Sequence, residues 1–144
     1  IGILSAMMML SSTEAVTSSR AADIISDLRN MKTAALEWYS ENIDYVEGKR
    51  TNSSGSYFTK LSNEKTGIIK FLGKDELKSN YLFGNGKDDD TWYACCKVQD
   101  EKVFAKLKSR ANNVGLYFMD KDMTSGTDLA TTTAKTGTVG LFIR

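Results

Sequence analysis

The sequence predicts an α+β fold in which one long N-terminal α-helix packs by its second half against an antiparallel β-sheet. Three observations carry this. From Ile1 to about Tyr45 the chain holds no Pro and a single Gly, Gly2, while the helix-favouring Ala, Leu, Met and Glu recur. Short β-prone runs, TWYACCKV, VGLYFM and TVGLFI, fall in the second half of the chain. The element order is helix, loop, short helices, then strands with one small helix between them, which is the pattern of an α+β domain.

The long helix opens with the apolar run IGILSAMMML and continues into a polar, amphipathic stretch. Ile24, Leu28, Met31, Ala35 and Trp38 are spaced +4, +3, +4, +3, so they share one face. Asp23, Asp27, Lys32 and Glu37 lie off that stripe. Burying the five stripe residues at ~1.5–3 kcal/mol each anchors this half to the sheet. At ~1.5 Å per residue the helix outruns the core of a chain this size. The expectation is therefore a protruding apolar half at residues 1–17 and a globular head at residues 18–144. An exposed apolar helix requires a membrane or copies of itself.

Beyond the helix, EGKRTNSSGS (residues 47–56) is rich in turn formers and ends it. Residues 57–87 have clustered apolar members without clean alternation, and short helical pieces are expected, with Gly73 stopping one and Asp75 starting another. GNGKDDD (residues 84–90) reads as a turn. A strand is expected over Thr91–Val98. Asp100 is placed to cap a second helix whose apolar face is Val103, Phe104 and Leu107, ended by Asn112–Asn113. Val114–Met119 reads as a strand, residues 120–137 as a long polar connection, and Thr138–Ile143 as the last strand.

Composition narrows the chemistry. Nineteen basic and 18 acidic residues give a net charge of +1, so no bulk field draws the chain to nucleic acid or to an anionic surface. The chain has no His, which removes the usual general base and the Ser-His and Cys-His pairs. No nucleophile–base pair can be named, and the reading assigns no catalytic residue and no cofactor. Cys95 and Cys96 are adjacent on a predicted strand, where side chains alternate faces. Their α-carbons lie ~3.8 Å apart, closer than a disulfide prefers. Two free thiols or two intermolecular bonds are expected, one Cys being a small buried apolar residue. Asp120, Asp122 and Asp128 in DKDMTSGTD are calcium candidates by acid spacing, although Gly126 falls one place late for an EF-hand loop and no Glu closes it. The alternative for these acids, as for Asp88-Asp89-Asp90, is a solvated turn. Lys102, Lys106, Lys108 and Arg110 give the second helix a basic side, which is either a polyanion-binding surface or an ordinary solvated face.

IGIL followed by small and apolar residues, then a helical run ending in A-A-x-x-W-Y-x-x-N (Ala34, Ala35, Trp38, Tyr39, Asn42), resembles the type IV pilins and pseudopilins. The resemblance implies a subunit held in the inner membrane by the apolar half of its helix and then assembled into an extracellular filament with copies of itself. Pilus assembly machinery would be a further partner, and adhesion, motility or DNA uptake the role. Ile1, Ile3, Leu4, Met7, Met8 and Leu10 would form the membrane and filament interface. The opening apolar run is roughly half of the ~20 residues a bilayer requires, so more apolar sequence is expected before Ile1. It lacks the basic n-region and A-x-A site of an intact signal peptide. The family's glutamate near the mature N-terminus has no counterpart here, since Glu14 lies too far along the helix. Adjacent cysteines depart from the family's C-terminal disulfide loop. The kinking Pro of many members is absent, and Ser11-Ser12-Thr13 would loosen the helix instead by hydroxyl bonding to the preceding turn. The alternatives are a pseudopilin of a type II secretion system, forming a short periplasmic filament, and a membrane-anchored binding module.

Overall fold

A computed structural model describes residues 2–42, 67–73, 78–85 and 91–144, with side chains in the first helix described from Glu14 onward. The elements are α1 (Gly2–Glu41), a short helical segment at residues 67–71, β1 (Tyr81–Asn85), β2 (Trp92–Val98), α2 (Glu101–Val114), β3 (Leu116–Met119), β4 (Gly126–Asp128) and β5 (Gly137–Phe142). The five strands form one sheet in the order β1-β2-β5-β3-β4, every neighbouring pair antiparallel. The α+β expectation, a long helix with an antiparallel sheet, is met.

The helix α1 is 40 residues long, about 60 Å at ~1.5 Å per residue. It stops at Glu41 rather than near Tyr45. Asn42 turns the chain out: its backbone N–H reaches the Trp38 carbonyl at 3.0 Å, and its side-chain amide donates to the same oxygen at 2.9 Å. A short polar side chain that bonds the last turn competes with helix continuation. Ala21, Ile25, Leu28, Met31, Ala34, Ala35 and Trp38 are buried. Ile24, placed on the stripe by spacing, is half-buried, and Ile25 takes the inner position. The stripe is wide because α1 meets both the sheet and α2, and two neighbours cover a broader arc than one.

The end of α1 is closed by aromatic packing. Trp38 and Trp92 lie 6.2 Å apart between ring centroids, and Tyr39 meets Trp92 edge-on at 5.6 Å. The Arg144 guanidinium lies 4.0 Å over the Tyr39 ring, a cation–π contact that brings the end of the chain to the end of α1. Residues 67–71 lie close against Trp38: a Cβ at Gly67 would stand 2.8 Å from Trp38 Nε1. Ile68 from this segment is fully buried. Gly73 stops the segment in the left-handed region at φ 66°, as expected. Asp75 lies outside the described residues, as does the loop at 47–56.

Further boundaries differ from the sequence reading. Residues 81–85 are strand, not helix or turn, so Gly84 and Asn85 belong to β1; residues 86–90 lie outside the described residues. Tyr-Leu-Phe is β-prone, but the run is short and ends at Gly, which hides it. The helix α2 is capped by Asp100 as expected, its carboxylate accepting from the N–H groups of Lys102 at 2.9 Å and Val103 at 3.3 Å. It then runs through Asn112–Asn113 to Val114 and ends on Gly115 at φ 82°, whose N–H returns to the Ala111 carbonyl. Consequently β3 starts at Leu116 rather than Val114. Residues 120–137 are not a bare connection, since they contain β4 and the fully buried Leu129.

Candidate functional site

The long helix divides at Ala21. From Glu14 to Arg20 no side chain is buried, and Val16 is 49% exposed. Ala21 is the first fully buried residue among those described, and Arg20 beside it pairs with Asp100 at the start of α2 at 3.8 Å. That ion pair is exposed on both sides and worth little. The backbone stays helical back to Gly2. Ile3, Leu4, Met7, Met8 and Leu10 therefore lie on the same helix, with side chains outside the described set, and Ile1 is outside it altogether. Among the described residues no helix is long and apolar enough to cross a membrane.

On the sheet, alternation sends Cys96 to the side packed on α1 and Cys95 to the opposite side. Both are nevertheless fully buried and unbridged. The expectation that one Cys would be incidental is corrected, because the outer side of the sheet has a cover of its own. Residues 120–125, between β3 and β4, fold back over it. The Met123 carbonyl lies 2.6 Å from where a Gly84 Cβ would stand, and Met119 fills the space over Gly140 in the same way. Cys95 pairs with Gly140 in the β2–β5 register, and Gly84 flanks it from β1. Two glycines thus make a trough in which the thiol sits under the strap. Burial pushes the Cys95 thiol up to about 12, with the neighbouring Cys96 and the Asp120 carboxylate adding to it. Burial also raises Cys96, to about 11, partly offset by hydrogen bonds from Tyr81 and Asn80.

The strap explains the acidic candidates. Asp120 accepts from the Thr124 hydroxyl at 2.7 Å, the Thr124 N–H at 2.6 Å and the Ser125 N–H at 3.2 Å. The Thr124 hydroxyl bond is the main reason its carboxyl is held below the usual range. Asp122 is exposed, and Asp128 turns away to accept from the Ala130 N–H at 3.0 Å. Asp120 and Asp128 thus serve turns of the chain, and the three carboxylates are not brought together. Among the described residues no group of three or more His, Cys, Asp or Glu is placed to hold a metal ion.

The basic side of α2 is also divided. Lys102, Lys106 and Arg110 follow one another at intervals of four along one side of the helix. Lys108 departs from that line, its ammonium donating to the Thr132 carbonyl.

One junction was not legible in the sequence. The Tyr81 hydroxyl donates to Asp27 Oδ2 at 2.7 Å, and the Asn80 amide reaches Cys96 Sγ at 3.5 Å. Burial, and then the bond to Asp27, hold the Tyr81 phenol protonated well above its ordinary range. The only local signal was a carboxylate, Asp27, next to the buried Leu28. No family model, curated protein or solved structure matches the chain.

Proposed function

We propose that the chain is a structural subunit of a type IV pilus or of a closely related filament. The supporting observation is the division of α1: seven residues between Ala21 and Trp38 are buried, and none between Glu14 and Arg20. The half of the helix that is rich in Ile, Leu and Met precedes that division along the same helix. In this reading Ile1, Ile3, Leu4, Met7, Met8 and Leu10 sit first in the inner membrane and then among the helices of neighbouring subunits. Unbranched Met side chains suit contacts that must serve both surroundings. A head-to-tail contact that does not close on itself generates an open helical fibre. The protein's work is then packing rather than catalysis, and its partners are copies of itself and the machinery that extracts it from the membrane.

The test is made on native cells. Antiserum against the head should decorate surface filaments, and Met7→Cys together with Leu10→Cys should give oxidative ladders of subunits within them. Label confined to the periplasm would select the secretion pseudopilin instead. Absence of both filaments and ladders would overturn the assembly reading.

A further inference from the structure

A half-open cleft of about 380 Å³ runs along α1, in the size range of small-ligand sites. Its apolar walls are Met31 and Ala34 from the helix, faced by Phe71 and Leu72 from the segment across it. Asp27 lies toward one end, where the Tyr81 hydroxyl is bonded to it, and Glu37 lies ten residues further along the helix, roughly 15 Å away.

The charges are unevenly placed. Among the described residues of the lining, Lys78 is the one cation, against Asp27 and Glu37. A second, more open cleft shares Asp27, Lys78 and Tyr81. The described lining of that second cleft is balanced, with Asp23, Asp27 and Asp100 against Arg20, Lys78 and Lys97. Among the described residues Lys78 therefore offsets the Asp27 region, and the first cleft is left with the negative charge of Glu37. Glu37 is exposed and makes no ion pair among the described residues.

We infer that this cleft binds a small organic cation with an apolar body, its ammonium toward Glu37 and its body between Met31, Ala34, Phe71 and Leu72. The apolar walls give the body a place to leave water, and a lining that holds both an aromatic ring and a carboxylate unpaired among the described residues favours a cation over an anion or a neutral group. The Tyr81 hydroxyl is already committed to Asp27, so selectivity rests on the Glu37 end.

Phenethylamine is the probe, with 2-phenylethanol and 3-phenylpropionate as neutral and anionic counterparts. Each is titrated into the full chain in zwitterionic detergent, and amide and methyl NMR shifts are followed. Phenethylamine should shift Met31, Ala34 and Leu72, and the two counterparts should bind at least several-fold more weakly. Glu37→Gln should weaken phenethylamine by roughly tenfold, while Glu41→Gln, on the same helix but outside the cleft, should leave it unchanged. Partition of phenethylamine into the detergent is common to the wild-type and variant samples and cancels between them, and the free concentration of each of the three probes is measured in detergent without protein. Equal binding of the three probes, equal effects of the two Glu substitutions, or shifts confined to other parts of the chain would each overturn the assignment.

Discussion

The hydroxyl of Tyr81 on the edge strand β1 donates to Asp27 on α1 across 54 residues of sequence, at 2.7 Å. This bond ties the outermost strand of the sheet to the helix at a half-buried position. Removing the donor leaves a carboxylate partly withdrawn from water without that partner. Tyr81→Phe should therefore destabilise the chain by about 1–3 kcal/mol, the range for hydrogen bonds to charged groups. Urea denaturation checks this, and a change below a few tenths of a kcal/mol would mean that water replaces the phenol at no cost.

Leu28 is fully buried where α1 meets the core, whereas Leu36 on the same helix is 36% exposed. Leu28→Ala should cost about 2–5 kcal/mol through lost burial and a residual cavity. Leu36→Ala should stay within about 0.5 kcal/mol, as for most surface changes. Similar costs for the two would contradict the orientation of the helix against the sheet.

The buried thiols give the chain an alkaline limit. Cys95 and Cys96 ordinarily ionise near 9.0 but are raised in the fold to about 12 and about 11. Below pH 9 both states hold both protons, and stability is at its full value. Above it the unfolded chain loses protons that the folded chain keeps, so stability falls as pH rises. Each thiol contributes up to about 1.4 kcal/mol per pH unit to that fall. Cys95→Ala should reduce the slope by one thiol's share, read from urea melts between pH 7 and pH 10.5. An unchanged slope would show that Cys95 is not shielded by the strap.

Residues 14–17 contribute no buried side chain, and the described core starts at Ala21. A chain lacking Ile1 to Thr17 should be a soluble monomer with nearly unchanged folding stability. Analytical ultracentrifugation and denaturant melts decide this, and loss of cooperative unfolding would refute the division of α1.

Much of the architecture was legible because it rests on short-range physics. Helix α2 was readable from Asp100, which caps within three residues, and from Val103, Phe104 and Leu107, which repeat with the helical period. Strands β2 and β5 were readable as dense β-prone runs. What escaped is non-local. Strand β1 forms because Phe83 and Leu82 find Ala94 and Cys95 across the ladder, and nothing within five residues that end in Gly-Asn announces that. Gly84 looked like a turn residue, yet its role is to let the Met123 carbonyl approach. The Asp120 cluster looked like a cation loop, yet its carboxylate serves to close the strap.

The sequence by itself determined the long helix, the face it buries from Leu28 to Trp38, the capped second helix, and the lack of His-based chemistry. Each follows from residue type and periodicity along one segment. Only the tertiary structure decided which side of the sheet is covered, why both cysteines are buried, and where Tyr81, Asp27 and Glu37 stand relative to one another. Those depend on which distant segments fill the space beside a residue, and a linear pattern does not carry that information.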